Sequence, residues 1–250
     1  MSTLALPKSS RTVVLAAVIG LGVSSICVCL HDGGNLWLAL VAVALSGFLA
    51  DLFTSLAHFG FDYVFPEKTP ILGPIASEFR EHHDHPTLDP SDYVVNLSKG
   101  SYASLPLSVL VCVLCRTTGH DWGGFLLLAT LLGMSFWAFF FHQIHSYAHM
   151  GSCIAAEEFK ARVAQVRALH SRAEQTREFE KLFEAAPIPS AIRLLQRCRL
   201  MLNPKTHNFH HIHFETDFSS VNGWSDPMMN LVLKPIAKRI IAARAKQTST

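Results

Sequence analysis

The segment His207-Asn208-Phe209-His210-His211-Ile212-His213 holds four of the fourteen histidines of this chain. Seven more lie in three other places, which are His58, residues 82–85 and residues 142–149. Imidazole is the commonest side-chain metal ligand and suits iron, zinc, copper and nickel. No one cluster can fill the coordination shell of a metal ion, whereas the four clusters together could supply the ligands of two metal ions. The fold is therefore expected to bring three distant segments to this one.

The composition indicates a membrane protein. Of the 250 residues, 50% are hydrophobic and 16% are charged, and the mean hydropathy is +0.27. These values are too apolar for an ordinary soluble domain. The net charge of +2 gives no reason to expect a nucleic acid as a partner. The six cysteines are scattered, mostly within apolar runs, which argues against a disulfide framework.

Four apolar runs have the character of membrane helices, and they cover residues 13–30, 36–61, 101–115 and 122–141. The second run would extend roughly 39 Å as a helix, beyond the ~30 Å hydrocarbon core, so His58 and Asp62 should lie at or beyond its far surface. The third run has only 15 residues and could alone be re-entrant. It must cross, because otherwise His58 and His149 would lie on opposite faces and could not share a metal. For the first run a cleaved signal peptide is the alternative, although no clean small-x-small site follows it.

The distribution of Lys and Arg gives the orientation. Lys8 and Arg11 precede the first run, residues 31–35 contain neither residue type, and most other basic residues follow His142. We therefore expect an all-α integral membrane protein with about four transmembrane helices and both termini in the cytosol. Cytosolic and interfacial helices would carry a histidine-rich di-metal site.

Residues 155–186 differ from the rest, with six acidic and six basic side chains. This pattern predicts a solvated helix with i,i+4 pairs. Its apolar positions could form one docking stripe, and they are Phe159, Val163, Val166 and Leu169. We interpret the segment as a surface insertion without chemistry. Residues 189–202 and 228–246 mix apolar and basic side chains, as helices on the cytosolic leaflet do.

The spacing of the histidines favours two metals over one. Residues three and four apart share a helix face, so three sets can each supply ligands from one side. These sets are His58 with Asp62; His142, His145 and His149; and His207, His210 and His211. Adjacent side chains leave a helix about 100° apart. The neighbouring pairs at 82–83 and 210–211 therefore reach two metals more easily than one.

An almost all-imidazole site at a bilayer surface suits iron that activates dioxygen beside an apolar chain. A zinc hydrolase needs three protein ligands and an open position with a base, so this many histidines would be excessive. No GxSxG, P-loop or dinucleotide-binding fingerprint is present. Electrons would therefore come from a separate carrier.

Five motifs resemble the lipid desaturase domain of the plasmanylethanolamine desaturases, the Kua-type family. They are Asp51-x6-His58-x3-Asp62, Phe79-Arg80-Glu81-His82-His83, Gln143-Ile144-His145-x3-His149, Lys205-x-His207-x2-His210-His211 and Gly223-Trp224. The resemblance runs from about Leu45 to Leu233. We expect residues 1–35 to be a tail with the first transmembrane helix, and residues 36–250 to be the lipid desaturase domain with the charged insertion at about 155–186. Eight histidines fall on the family's pattern as candidate catalytic and metal residues, and they are His58, His82, His83, His145, His149, His207, His210 and His211.

The resemblance implies an enzyme of the endoplasmic reticulum membrane with two iron ions, which uses O2 and electrons from cytochrome b5 and its reductase. It would convert the 1-O-alkyl chain of an ether phospholipid, plasmanylethanolamine, into the vinyl ether of plasmenylethanolamine. Four further residues are either ligands or supports for ligands, and they are Asp62, His85, His142 and His213. A plant branch of the family desaturates a palmitoyl group in a plastid lipid. The roughly 12 residues before the first span are too few for a transit peptide.

Two alternatives stay open. An acyl-lipid desaturase or a hydroxylase would use the same iron centre, because the sequence does not distinguish loss of a second hydrogen from transfer of an oxygen. A metal transporter or sensor belongs to a different class and should place its ligands near the bilayer midplane. Here the histidines gather beyond the ends of the spans, and Asp51 is the only acidic residue well inside one.

Overall fold

The computed structural model describes residues 8–84, 89–149, 156–182 and 188–248, and all regular structure within these ranges is helical. The prediction of an all-α protein is confirmed. A π-helical turn (Gly60–Val64) directly follows the second of the helices. The α-helices are α1 (Lys8–Cys29), α2 (Leu36–Phe59), α3 (Leu72–Asp84), α4 (Tyr93–Leu114), α5 (Trp122–His149), α6 (Ala156–Arg167), α7 (Arg172–Glu180), α8 (Ser190–Arg197), α9 (Pro204–Ile212) and α10 (Asp226–Thr248).

Four helical segments in the described part of the chain are long and apolar enough to cross a membrane, and they cover Ser9–Cys29, Leu36–Val64, Tyr93–Leu114 and Trp122–His149. The expected number of spans is confirmed, but the third begins earlier than predicted. Asp92 caps α4 by accepting a hydrogen bond from the backbone N–H of Val95 (3.4 Å). With 22 residues, α4 is roughly 33 Å long, which is enough to span the hydrocarbon core.

The chain divides into two compact units, and the first comprises residues up to Ala50 together with Pro90–Ile144. In this unit, serine side chains of α4 contact α5. The Ser135 hydroxyl lies 3.0 Å from that of Ser104 and 2.8 Å from that of Ser108. Asn96, in the part of α4 that precedes the predicted run, is also buried and donates to the side chain of Gln143 in α5 (3.3 Å). Because these polar side chains contact a neighbouring helix instead of lipid, α4 spans further than its apolar run alone indicates.

The second unit comprises Asp51–Asp89 and His145–Thr250. Two apolar clusters form much of its core. One joins Phe59, Tyr63, Phe218, Met229, Leu233 and Ala237, and the other joins Phe159, Val163, Val166, Phe179, Leu182 and Ile212. The first cluster packs α10 against the end of α2, and the second packs α6 and α7 against α9. Both α2 and α9 carry candidate histidines, so these clusters help to position them.

The charged segment is two helices rather than the single helix predicted. It breaks between α6 and α7, where Ser171 caps α7 by accepting a hydrogen bond from the N–H of Glu174 (3.4 Å). The sequence alone did not predict this cap, because charged residues occur on both sides of Ser171 and indicated one uninterrupted helix. The docking stripe is present, because Phe159, Val163 and Val166 are buried. The segment is therefore partly core and not only a solvated surface.

The two segments predicted to lie on a lipid surface are helical and correspond to α8 and α10. α8 is shorter than its predicted range, and Arg199, just beyond it, has a left-handed φ of 55° that ends the helical path. α10 nearly matches its prediction. Each exposes large apolar side chains, such as Leu194 in α8 (60% exposed) and Leu231 in α10 (80% exposed). Apolar exposure of this kind suits contact with lipid.

Candidate metal centre

The eight candidate histidines lie on four elements of the second unit. The end of α2 with the π-helical turn carries His58 and Asp62, α3 and α5 each carry two histidines, and α9 carries three. The start of α9 is fixed by Pro204 in its first turn and by Asn203, whose side chain accepts a hydrogen bond from the N–H of Lys205 (2.9 Å). A cap and a proline in the first turn define where a helix begins, and hence which way its side chains point.

The five-histidine group consists of His82, His145, His149, His207 and His211, whose ligand atoms all lie within 4.8 Å of one another. The Nε2 atom of His207 lies 2.8 Å from that of His145 and 2.9 Å from that of His149. Nitrogens bound side by side to one metal at about 2.1 Å are separated by about 3 Å. Hydrogen bonding among the rings cannot satisfy five converging Nε2 atoms, because a neutral imidazole has one N–H. This donor set therefore fits a shared metal ion.

The three-histidine group consists of His58, His83 and His210 with Asp62. The Nε2 atom of His83 lies 3.1 Å from Asp62 Oδ1, and that of His58 lies 3.5 Å from Asp62 Oδ2. The Nε2 atom of His210 and Oδ2 of Asp62 are buried and have no hydrogen-bond partner. Unsatisfied buried polar atoms are costly, and a metal ion bound between them would satisfy both.

Neighbouring histidines are divided between the two groups. His82 belongs to the five-histidine group and His83 to the three-histidine group, while His211 and His210 are divided in the same way. The two groups thus fit a di-metal site, as expected from the angle between successive side chains on a helix. That each of the eight histidines is a ligand stays a prediction.

Backbone carbonyls orient two of the rings. Nδ1 of His58 lies 3.0 Å from the carbonyl oxygen of Phe218, and Nδ1 of His210 lies 2.6 Å from that of Thr216. When Nδ1–H donates to a carbonyl, the proton stays on that nitrogen and the Nε2 lone pair is available to a metal. Residues 216–225, between α9 and α10, therefore support the three-histidine group.

Burial keeps four candidate ligands outside the membrane spans neutral, and they are His83, His207, His210 and His211. It lowers the pKa of His83 to about 3, with a smaller contribution from Arg167, and it lowers the pKa of His210 to about 4, with a contribution from His83. The pKa values of His207 and His211 also fall well below the ordinary value, first because of burial and then because of His149. Neutral imidazole is the form that binds metals.

Asp51 supports the centre in a way that the sequence did not predict. Its carboxylate is fully buried and accepts hydrogen bonds from the backbone N–H groups of Asn222 (2.9 Å) and Ser225 (2.8 Å), and from the hydroxyl of Ser219. It thereby holds the segment that follows Phe218, whose carbonyl orients His58. The signals in the sequence were the place of Asp51 well inside a membrane span and at the start of the motif Asp51-x6-His58-x3-Asp62.

Two of the four further candidates lie apart from the two groups. His85 lies outside the described residues. His142 belongs to the first unit and is in neither group. His213 is buried in the second unit and packs on Phe209, with ring centroids 4.3 Å apart, but it is also in neither group. Asp62 is the one of these four that joins a group directly.

A family model described as the lipid desaturase domain matches residues 47–186 of this chain. The chain belongs to the lipid desaturase domain family. It is 26% identical over 210 residues to a plasmanylethanolamine desaturase of Myxococcus xanthus, an alignment that covers 82% of this chain. The aligned part spans 61% of the length of that relative. No solved structure matches the chain. This member of the lipid desaturase domain family thus combines four candidate membrane helices with two groups of residues that could each hold a metal ion.

Proposed function

We propose that this protein is a membrane lipid desaturase that forms the vinyl ether bond of a plasmalogen from a 1-O-alkyl phospholipid, with O2 as the oxidant. In balanced form, the first and second carbons of the alkyl chain each lose one hydrogen and form a double bond, and the two hydrogens combine with O2, two electrons and two protons to give two waters. The name of the Myxococcus relative supports the choice of substrate. The observation that carries the proposal is the convergence of eight histidines and one carboxylate into two buried groups.

Iron is the proposed metal in both groups. Two irons held there would supply the activation of dioxygen that removal of hydrogen from an unactivated C–H bond requires. The eight histidines would hold the ions, with Asp62 as a ninth donor in the three-histidine group. Electrons would come from cytochrome b5 and its reductase, because the sequence contains no fingerprint for a nicotinamide or flavin site.

Aromatic side chains around the histidines would exclude water from the reaction. Phe214 lies against His83 with ring centroids 4.9 Å apart, and Phe79 lies against His58 with centroids 5.3 Å apart. A dry site protects reactive species from side reactions and strengthens electrostatic interactions within it. The chain's own contribution is therefore to hold the rings, orient their Nε2 atoms and exclude solvent.

A location in the endoplasmic reticulum with both termini in the cytosol belongs to the same proposal. The orientation rests on the distribution of Lys and Arg around the four candidate spans, and the organelle rests on the family resemblance alone. A metal transporter is less well supported, because transporters place exchangeable sites near the bilayer midplane. The candidate ligands here lie at the ends of α2 and α5 and on helices outside the spans.

Expression in cells that make ether phospholipids but lack plasmalogens tests the proposal. The expected product is a phospholipid that is two hydrogens lighter than its precursor and releases a fatty aldehyde in acid. A product heavier by one oxygen would instead identify a hydroxylase, and a new double bond in an ester-linked chain would identify an acyl-lipid desaturase. Unchanged lipids together with metal uptake into the cells would favour the transporter.

A further inference from the structure

A cavity of about 240 Å³ adjoins the three-histidine group within the second unit. Asp62 and His83 of that group form part of its lining, and so do three arginines, Arg80, Arg167 and Arg244. Besides any structural contacts, guanidinium groups beside the metal ligands offer charged N–H donors that an alkyl chain alone does not use. The cavity therefore indicates a ligand with a charged part.

Arg80 and Arg167 are held rigidly at this cavity. Arg80 forms an ion pair with Glu67 (3.0 Å) and donates to the carbonyl of Phe65 (2.7 Å). Arg167 forms an ion pair with Asp84 (3.0 Å), its Nη2 donates to the carbonyl of His83 (2.9 Å), and its buried Nε has no hydrogen-bond partner. Rigid guanidinium groups lose little entropy when they bind a ligand.

Arg244 reaches the cavity from α10. Its guanidinium donates to the carbonyl of Tyr63 (3.1 Å) and lies over the Tyr63 ring, with Cζ 5.7 Å from the centroid. Leu233 and Ala237, two turns and one turn before Ile241 of the cavity lining, are buried on the same helix. α10 thus presents one cation at the cavity while its apolar face packs on the core.

The arginine donors of the cavity favour an anion. Its lining contains three arginines and two carboxylates, Asp62 and Asp84. Asp84 is paired with Arg167, and Glu67, outside the lining, is paired with Arg80. A guanidinium has five N–H groups, so an ion pair leaves others for a phosphate, which guanidinium groups bind with short, charge-assisted hydrogen bonds.

We propose that this cavity binds the phosphodiester of the phospholipid substrate, with Arg244 and Arg167 as its principal contacts. The assignment rests on the proposed function, since it takes the substrate to be a phospholipid. About six covalent bonds separate the phosphorus from the first carbon of an ether-linked chain, roughly 7 Å when extended. A phosphate held beside Asp62 and His83 therefore brings the bonds next to the glycerol, rather than those in mid-chain, close to the metal groups.

The test measures binding instead of turnover. The purified full-length protein, loaded with iron in a maltoside detergent, is titrated with a 1-O-alkyl-2-acyl phospholipid and with the matching ether diglyceride, which lacks the phosphate. We expect the phospholipid to bind about tenfold more tightly, and Arg244→Gln to remove most of this difference. Arg239→Gln is the control, because it removes the same charge from the same helix at an exposed position outside the cavity lining.

Equal affinity for the two lipids, or equal losses in Arg244→Gln and Arg239→Gln, would overturn the assignment. Competition by inorganic phosphate at concentrations similar to those of the phospholipid would also overturn it, in favour of a site for free phosphate. An effect of Arg244→Gln on reduction by a carrier protein, without one on lipid binding, would reassign the cavity to protein docking. Because no product is measured, phosphate-dependent binding would stand even if the reaction were not vinyl ether formation.

Discussion

A single imidazole at this centre is useful only when the correct nitrogen faces inward. The carbonyls of Phe218 and Thr216 fix that choice for His58 and His210. Burial then lowers the pKa values of His83 and His210, so a proton does not compete for the lone pair at neutral pH. The function of each ring thus depends on contacts with backbone groups that are distant in the sequence.

Replacing one histidine in each group tests the two groups separately. We expect His145→Ala and His210→Ala each to abolish vinyl ether formation and to lower the iron content by at least one ion per chain, because each removes a donor that the fold cannot replace. Both proteins should still be found in the membrane. Product analysis by mass spectrometry and metal analysis of the purified proteins check this.

His120→Ala is the matched control for both variants. His120 is an exposed histidine in the first unit and belongs to neither group, so its loss should change neither product nor iron content. Full vinyl ether production by His145→Ala or His210→Ala would contradict the assignment of that residue as a ligand.

At the scale of an element, residues 216–225 form a segment that contacts α2 at two positions along the helix and so supports the three-histidine group. Asp51 binds the backbone of Asn222 and Ser225, and His58, two turns later, contacts the carbonyl of Phe218. A helix and a loop are thereby held together by a carboxylate that is fully buried. Such hydrogen-bonded support of a ligand tunes metal affinity.

Asp51→Asn should weaken the three-histidine group more than the five-histidine group. An amide places N–H donors where the carboxylate accepts from several backbone N–H groups, so the segment loses its anchor. We expect the affinity for iron to fall about 10- to 100-fold at the three-histidine group. Iron titration of the purified variant measures this, with the exposed Asp32→Asn as the control. Iron binding as tight as in the unaltered protein at both sites would contradict this role of Asp51.

The charged segment should contribute to stability despite its polar composition. Phe159 is fully buried in the cluster that joins α6, α7 and α9. Phe159→Ala should therefore lower the free energy of unfolding by about 3–5 kcal/mol, whereas Lys160→Ala, at an exposed neighbouring position, should change it by less than about 0.5 kcal/mol. Thermal unfolding in detergent compares the two variants. Equal melting temperatures would show that the segment is peripheral.

At the scale of the whole molecule, the even number of spans determines which segments share a side of the membrane. The stretches that follow the second and fourth spans should lie on one side, because two crossings separate them. We expect epitope tags inserted at residues 90 and 180 to be accessible from the cytosol, and a tag in the 116–121 loop to be accessible only from the other side. Selective permeabilisation of the plasma membrane measures this. Tags at 90 and 180 on opposite sides would remove the basis for a shared metal centre.

Much of this organisation follows from the sequence by simple geometry. Hydropathy located the four spans, and the 100° step between neighbours separated His82 from His83. The early start of α4 was hidden because its first residues include polar ones such as Asn96, which is buried and hydrogen-bonded to Gln143 of α5. The Asp51 anchor and the Arg167 contacts were hidden because they involve backbone carbonyls and N–H groups, which any residue provides.

In α3 and in α9, two successive histidines belong to different groups. The same short stretch of backbone therefore holds ligands for two ions. Capture of the first ion orders these stretches and prepares the second set of donors, which makes loading cooperative. Stepwise addition of Fe(II) to metal-free protein should therefore yield chains with no iron and chains with two, while singly loaded chains stay scarce in native mass spectra. A dominant one-iron species at half saturation would mean that each pocket fills independently.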